Sequence, residues 1–220
     1  MSIRNLFRMA RRKLHLTPMK KVLRELKRRG LNPKDFNALE VFGSSGEGHL
    51  KDYASLVSTL EIWEIDPEYE KILRRFFRRA EVKIADSFKE IKTTSKKYNF
   101  IVVDNGTSIS SASYGRHCEH FDLFPDIFRI AMDSSVLILN IIPEVDSVAL
   151  KAYPYLFNDE QLLHRKNFYK TNRPEKMTSE EMVEAYRKML MANDFNLEWY
   201  FFQKRNFIYY LVLKITKSEV

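Results

Sequence analysis

LEVFGSSGEGHL, residues Leu39 to Leu50, runs from an apolar strand that ends in an acid, through a turn of small residues, into the start of a helix. That order brings backbone amides and a helix N-terminus close to a ligand, because glycine puts no side chain in the way. Glycine turns after strands are also common in purely structural roles, so the weight of the stretch depends on the strands that come after it. Its glycines, Gly43, Gly46 and Gly48, are spaced G-x-x-G-x-G. The dinucleotide-binding fingerprint is spaced G-x-G-x-x-G and does not match.

Outward from this stretch, short apolar runs alternate with helical patterns, which is the mark of βαβ units and a parallel sheet. LEIWEIDP places Glu64 at the end of a second strand, at about the spacing where an acid in such folds accepts hydrogen bonds from ribose hydroxyls. VKIADSF ends a third strand in Asp86, and YNFIVVDNG ends a fourth in Asp104 and Asn105. Ligands bind outside the carboxyl ends of strands in open α/β sheets, so Glu40, Glu64, Asp86 and Asp104 are expected to share one cleft. The predicted strands are Ala38 to Phe42, Leu60 to Glu64, Val82 to Ala85, Phe100 to Val103 and Val136 to Ile141. Helices are expected near Gly48 to Ser58, Pro67 to Arg79, Ser87 to Lys92, Phe121 to Met132 and Ser179 to Met191. Two β-rich runs, Leu197 to Phe202 and Phe207 to Ile215, joined by Lys204, Arg205 and Asn206, predict a closing antiparallel hairpin.

This succession of an acid before a glycine turn, an acid after each of the next three strands and a final hairpin resembles the class I S-adenosylmethionine-dependent methyltransferases. The resemblance covers about Leu39 to Ile215. It implies an α/β fold, a Rossmann-like three-layer sandwich with a mostly parallel seven-stranded sheet, and S-adenosylmethionine as cofactor. It further implies that Glu40 and the Gly43, Gly46 and Gly48 turn hold the methionine part, Glu64 the ribose, and Asp86 with Ser87 the adenine amino group, while Asp104 faces donor and acceptor. The chain departs from the family pattern of alternating glycines at Phe42 and Ser44. Asp104-Asn105-Gly106-Thr107 also lacks the Asn or Asp, Pro-Pro and aromatic sequence with which the family grips exocyclic amino nitrogens, which disfavours base-amine methylation.

A hydroxyl acceptor must lose a proton. YGRHCEHFD, after the fourth strand, offers His117 and His120 as candidate general bases, since an imidazole titrates near neutrality; ordinary polar loop residues are the competing reading. The same groups, with Asp104 and Glu119, could also hold a divalent metal, but no metal site is assigned. The expected acceptor is a small molecule or glycan-type hydroxyl. An RNA methyltransferase and a non-catalytic binding protein of the same fold are the alternatives.

At 220 residues the chain is long enough for one full core. Residues 1–36 read as a basic helical arm and 37–220 as the methyltransferase-like domain. Net charge is +8, but residues 1–29 hold eleven Lys or Arg against one acid, leaving 26 bases and 28 acids for the rest. Ile3, Leu6, Phe7, Ala10 and Leu14 recur at helical spacing among Arg4, Arg8, Arg11, Arg12 and Lys13, the pattern of a basic amphipathic helix. A second helix is predicted to start at Thr17 and Pro18 and to end at Gly30. Three roles compete for the arm: an anionic membrane surface, nucleic acid phosphates, or packing on the domain with a solvated charged face. Residues 143–177 lose all periodicity among aromatics and charges and form the candidate acceptor lid. Cys118 is the single cysteine, which fits a reducing, cytoplasmic setting, with peripheral membrane association as an option. No apolar run reaches the length of a span, and Asn140 breaks the longest.

Overall fold

The computed structural model describes residues 16–104, 120–143, 147–152 and 154–219. Helix α1, Pro18–Arg28, starts where Thr17 Oγ1 accepts the Lys20 amide at 3.2 Å. It ends as Leu31 N reaches back to Leu26 O at 3.0 Å across Gly30, whose φ of +83° a side chain would resist. Its stripe of Met19, Val22, Leu23 and Leu26 is buried in the core, so this part of the basic arm is an integral helix of the fold.

Strands β1 (Asn37–Glu40), β2 (Thr59–Glu64), β3 (Glu81–Ile84), β4 (Tyr98–Val103), β5 (Ala131–Ile141), β6 (Phe195–Arg205) and β7 (Ile208–Lys217) form one seven-stranded sheet ordered β3-β2-β1-β4-β5-β7-β6. The first five pair in parallel and β7 pairs antiparallel with both neighbours. Strand residues alternate between two cores. Ala38, Ile62, Phe100, Val102 and Ile138 face α1 and the helices α2 (Leu50–Tyr53) and α3 (Glu70–Phe76). Leu39, Ile101, Val103 and Leu137 face the helices α4 (Ser87–Thr93), α5 (Asp126–Ile130) and, beyond the short α6 (Ser147–Ala152) and α7 (Asp159–Tyr169), α8 (Ser179–Met191). Helices on both faces of a mostly parallel sheet with a closing hairpin match the expected architecture.

Four expectations need correction. The helix expected near Gly48 to Ser58 is one turn, α2, because Ser55, Val57 and Ser58 are weak helix formers. The helix expected from Phe121 to Met132 is divided: a 3-10 turn covers Phe121–Leu123, Pro125 interrupts, and after α5 the chain is already strand at Ala131. The segment 143–177 is not structureless, since α6, a 3-10 turn at Pro154–Phe157 and α7 lie within it. Among α7's buried side chains are Gln161, Arg165 and Tyr169, one turn apart, so its inner face is largely polar and carries no hydrophobic period. Arg165 donates to Pro174 O at 2.8 Å and lies over the Phe157 ring at 5.1 Å. The closing turn is also shorter than expected: Asn206 and Phe207 alone link the strands, with Asn206 at φ 57° and Arg205 in β6.

Candidate active site

The parallel strands reverse their order of addition between β1 and β4, and this switch point is where ligands enter such sheets. Asp86, Glu64, Glu40 and Asp104 stand at the carboxyl ends of β3, β2, β1 and β4, four neighbours in the sheet. At ~4.8 Å between strands the row spans roughly 14 Å.

Glu40 and Asp104 are buried and share one partner. His49, at the start of α2, presents Nε2 to Glu40 Oε2 at 2.7 Å and Nδ1 to Asp104 Oδ2 at 2.6 Å. Burial opposes the imidazolium, but the charges of Glu40 and Asp104 and the hydrogen bonds to both outweigh it and raise the pKa to about 10. His49 is therefore a cation at neutral pH, donating from both nitrogens. Tyr53, one turn along, donates to Glu40 Oε2 at 2.6 Å. Tyr210 on β7 donates to Asp104 Oδ2 at 2.6 Å, Arg205 on β6 pairs with the same oxygen, and Asn140 on β5 donates to Oδ1. Burial pushes the Asp104 carboxyl up, but His49, Arg205 and Tyr210 together hold it well below the usual range. Two carboxylates, one imidazolium and one guanidinium leave the cluster without net charge. Glu40 Oε1, in contrast, is buried and has no hydrogen-bond partner among the described residues. An uncompensated carboxylate oxygen of this kind is costly unless a ligand donor meets it.

Glu64 accepts the Ser44 amide on Oε2 and the Asp66 amide on Oε1, the latter at 2.8 Å. Burial raises its pKa against these amides. Asp86 caps α4 by accepting Phe88 N at 3.0 Å, and Ser87 Oγ donates to Val41 O at 2.5 Å, tying α4 to the end of β1. The glycines divide by environment. A Cβ on Gly43 would meet Ile62 Cγ2 at 2.5 Å, and one on Gly46, at φ +70°, would meet the Phe77 ring at 2.4 Å. Both are needed for packing. A Cβ on Gly48 would meet nothing within 4 Å, so Gly48 borders open space.

Ser44 adopts φ 47°, a left-handed conformation that glycine takes without strain. Ser44→Gly is expected to stabilise the fold by about 1 kcal/mol, raising Tm by about 2–4 °C for a chain of this size. Thermal unfolding checks this, and an unchanged or lower Tm rejects it.

Of the predicted catalytic residues, Asp104 lies in this cluster, while His117 falls outside the described residues. His120 is buried among Phe121, Phe124, Phe168 and Tyr186, with Nε2 2.6 Å from the Tyr186 hydroxyl. Burial lowers its pKa to about 3. So weak a base has little power to take a hydroxyl proton at neutral pH, and the general-base expectation for His120 is replaced by a packed core imidazole. Sequence reading missed His49, Tyr53, Asn140, Arg205 and Tyr210. Two signals were present: the i, i+4 pair of His49 and Tyr53 after the turn, and the polar Asn140 inside an apolar strand.

The fold is similar to those of solved structures. Magnesium protoporphyrin IX methyltransferase from Synechocystis, with bound SAH, superposes with a TM-score of 0.54 at 15% identity, over 91% of this chain and 82% of that one. This is the class I methyltransferase fold. The N-methyltransferase NodS from Bradyrhizobium japonicum gives 0.52 at 9% identity, covering 92% of this chain and 97% of its own. The 1,6-didemethyltoxoflavin-N1-methyltransferase of Burkholderia thailandensis, with bound 1,6-didemethyltoxoflavin and S-adenosylhomocysteine, gives 0.51 at 11%, covering 92% and 77%. No protein-family model and no curated protein matches the sequence. Among the described residues no helix is long and apolar enough to cross a membrane.

Proposed function

We propose that this chain is an S-adenosylmethionine-dependent methyltransferase acting on a hydroxyl of a small molecule or glycan. The observation that carries the donor site is Glu40 Oε1, buried and without a hydrogen-bond partner among the described residues at the switch point of a methyltransferase fold, where a ligand ammonium would supply a donor. Glu64, fixed by two backbone amides, keeps lone pairs for vicinal ribose hydroxyls. Asp86 and Ser87 stand at the next strand end for an adenine amino group, and open space beside Gly48 admits the ligand to the turn. When bound, S-adenosylmethionine supplies an activated methyl group on a sulfonium.

The protein's part is to orient donor and acceptor and to receive the acceptor's proton, for which His117 is the remaining candidate base. His49, Arg205, Tyr210 and Asn140 fix Asp104 as an anion, so it acts as a hydrogen-bond acceptor and electrostatic anchor and not as a strong base. The absence of the Pro-Pro-aromatic sequence after Asp104 supports a hydroxyl over a base amine. A second reading, a binding protein that keeps the fold without turnover, is favoured by one observation: an imidazolium already bridges the two central acids.

Calorimetric titration with S-adenosylmethionine and S-adenosylhomocysteine tests the donor site. Wild type is expected to bind both, and Glu64→Ala to bind neither. A folded wild type that binds neither ends the proposal. Labelled methyl transfer into small-molecule, glycan and RNA pools then separates the acceptors, and transfer to RNA alone overturns the hydroxyl assignment. Donor binding without transfer to any pool supports the second reading.

A further inference from the structure

One side of the sheet carries bases that form no ion pair among the described residues. On α1, Glu25 pairs with Arg28 and Arg29, and Arg29 also stacks over Trp199 of β6 at 4.5 Å, so these belong to the fold. Lys21, Arg24 and Lys27 are exposed and make no ion pair among the described residues. On α3 and just beyond it, Lys71, Arg75 and Arg78 follow one another at i, i+4 and i+7, also exposed and unpaired among the described residues. Both helices cover the same core, on the same face of the sheet.

Apolar side chains stand among these bases. Phe76 is 53% exposed between Arg75 and Phe77, and Lys51 of α2 lies 5.9 Å over its ring. Leu56, after α2, and Leu16, before α1, are 38% and 37% exposed in the same layer. The sequence ahead of Leu16 repeats the mixture, with Ile3, Leu6 and Phe7 spaced among Arg4, Arg8 and Arg11. A polyanion such as RNA would satisfy the bases and leave the leucines in water. An anionic surface with an apolar interior satisfies both groups at once.

We propose that the α1–α3 face is a docking surface for an anionic lipid bilayer, with Lys21, Arg24, Lys71 and Arg75 meeting headgroups and Leu16, Leu56 and Phe76 entering the acyl boundary. The catalytic proposal is independent of this one, since none of these residues belongs to the donor site.

The full chain is sedimented with vesicles of phosphatidylcholine alone and of phosphatidylcholine with phosphatidylserine, at low and raised salt. It is expected to pellet only with the anionic vesicles. Each base removed should weaken binding about fivefold, so Lys21→Gln, Arg24→Gln and Arg75→Gln combined should weaken it about a hundredfold. Phe76→Ser and Leu56→Ser combined should remove the binding that survives raised salt, with far-UV circular dichroism unchanged in both variants. Failure to pellet with anionic vesicles overturns the proposal, as does equal binding by phosphatidylcholine alone. A random-sequence RNA that strips the protein from vesicles, and whose own binding depends on the three bases but not on Phe76 or Leu56, assigns the face to nucleic acid instead.

Discussion

Replacing His49 with alanine is expected to destabilise the protein by about 3–5 kcal/mol at neutral pH, because it leaves Glu40 and Asp104 buried without the cation they share. The loss should depend on pH in a defined direction. The imidazole's pKa rises from 6.5 to about 10 on folding, so its contribution is complete below about pH 6.5 and is lost as pH rises through about 10. Urea denaturation across this range should show the gap between wild type and His49→Ala narrowing by up to about 1.4 kcal/mol per pH unit. His49→Gln, which keeps hydrogen-bonding capacity without the charge, should fall between the two. A gap below about 1 kcal/mol at pH 7, or one that does not change with pH, excludes an imidazolium at this position.

The second large effect separates the glycines. Gly46→Ala must hold a side chain at φ +70° and displace the buried Phe77 ring, with the two costs together reaching about 2–5 kcal/mol. Gly43→Ala meets only the steric part, since its φ is unremarkable, and should lose about 1–3 kcal/mol against Ile62 Cγ2. Gly48→Ala should leave the urea midpoint where it is. If Gly48 admits the donor, that same variant weakens S-adenosylmethionine binding in calorimetry. Unaltered affinity in Gly48→Ala would mean that the ligand does not pass this point of the turn.

The sheet was legible because each of its first four strands announces itself twice, by an apolar run and by an acid at its end. Alternation of two cores across the sheet needs no more than that. The helices of 143–177 were not legible, because α7 buries Gln161 and Arg165, and a polar inner face erases the period by which a helix is read. Pro125 hid the early start of β5 in the opposite way, since an apolar run continues through it and reads as one helix. At the site, the four acids could be placed from the sequence because strand ends are a property of local pattern. His49 stands in full view within LEVFGSSGEGHL, yet a histidine opening a helix reads as a solvated polar residue until the fold brings Asp104 beside it on the neighbouring strand. Arg205 and Tyr210 were further out of reach, being supplied by a hairpin whose register only the three-dimensional sheet fixes. His120 illustrates the converse: its chemistry was legible, and its burial among four aromatic rings was not.

The contact between Asp104 and Arg205 joins residues 101 positions apart. At a synthesis rate of ~5–20 residues per second, roughly 5–20 s separate their emergence from a ribosome. Before that interval closes, Tyr53 and Asn140 are present as neutral donors to Glu40 and Asp104, but neither Arg205 nor Tyr210 has emerged, and His49 is the one cation of the cluster in place. The charge of this cluster is therefore expected to be balanced in two stages. The imidazolium is available to both carboxylates first, and the closing hairpin adds Arg205 and Tyr210 to Asp104 last. A ribosome stalled before β6 would carry a sheet in which the charge of Glu40 and Asp104 is countered by a single histidine.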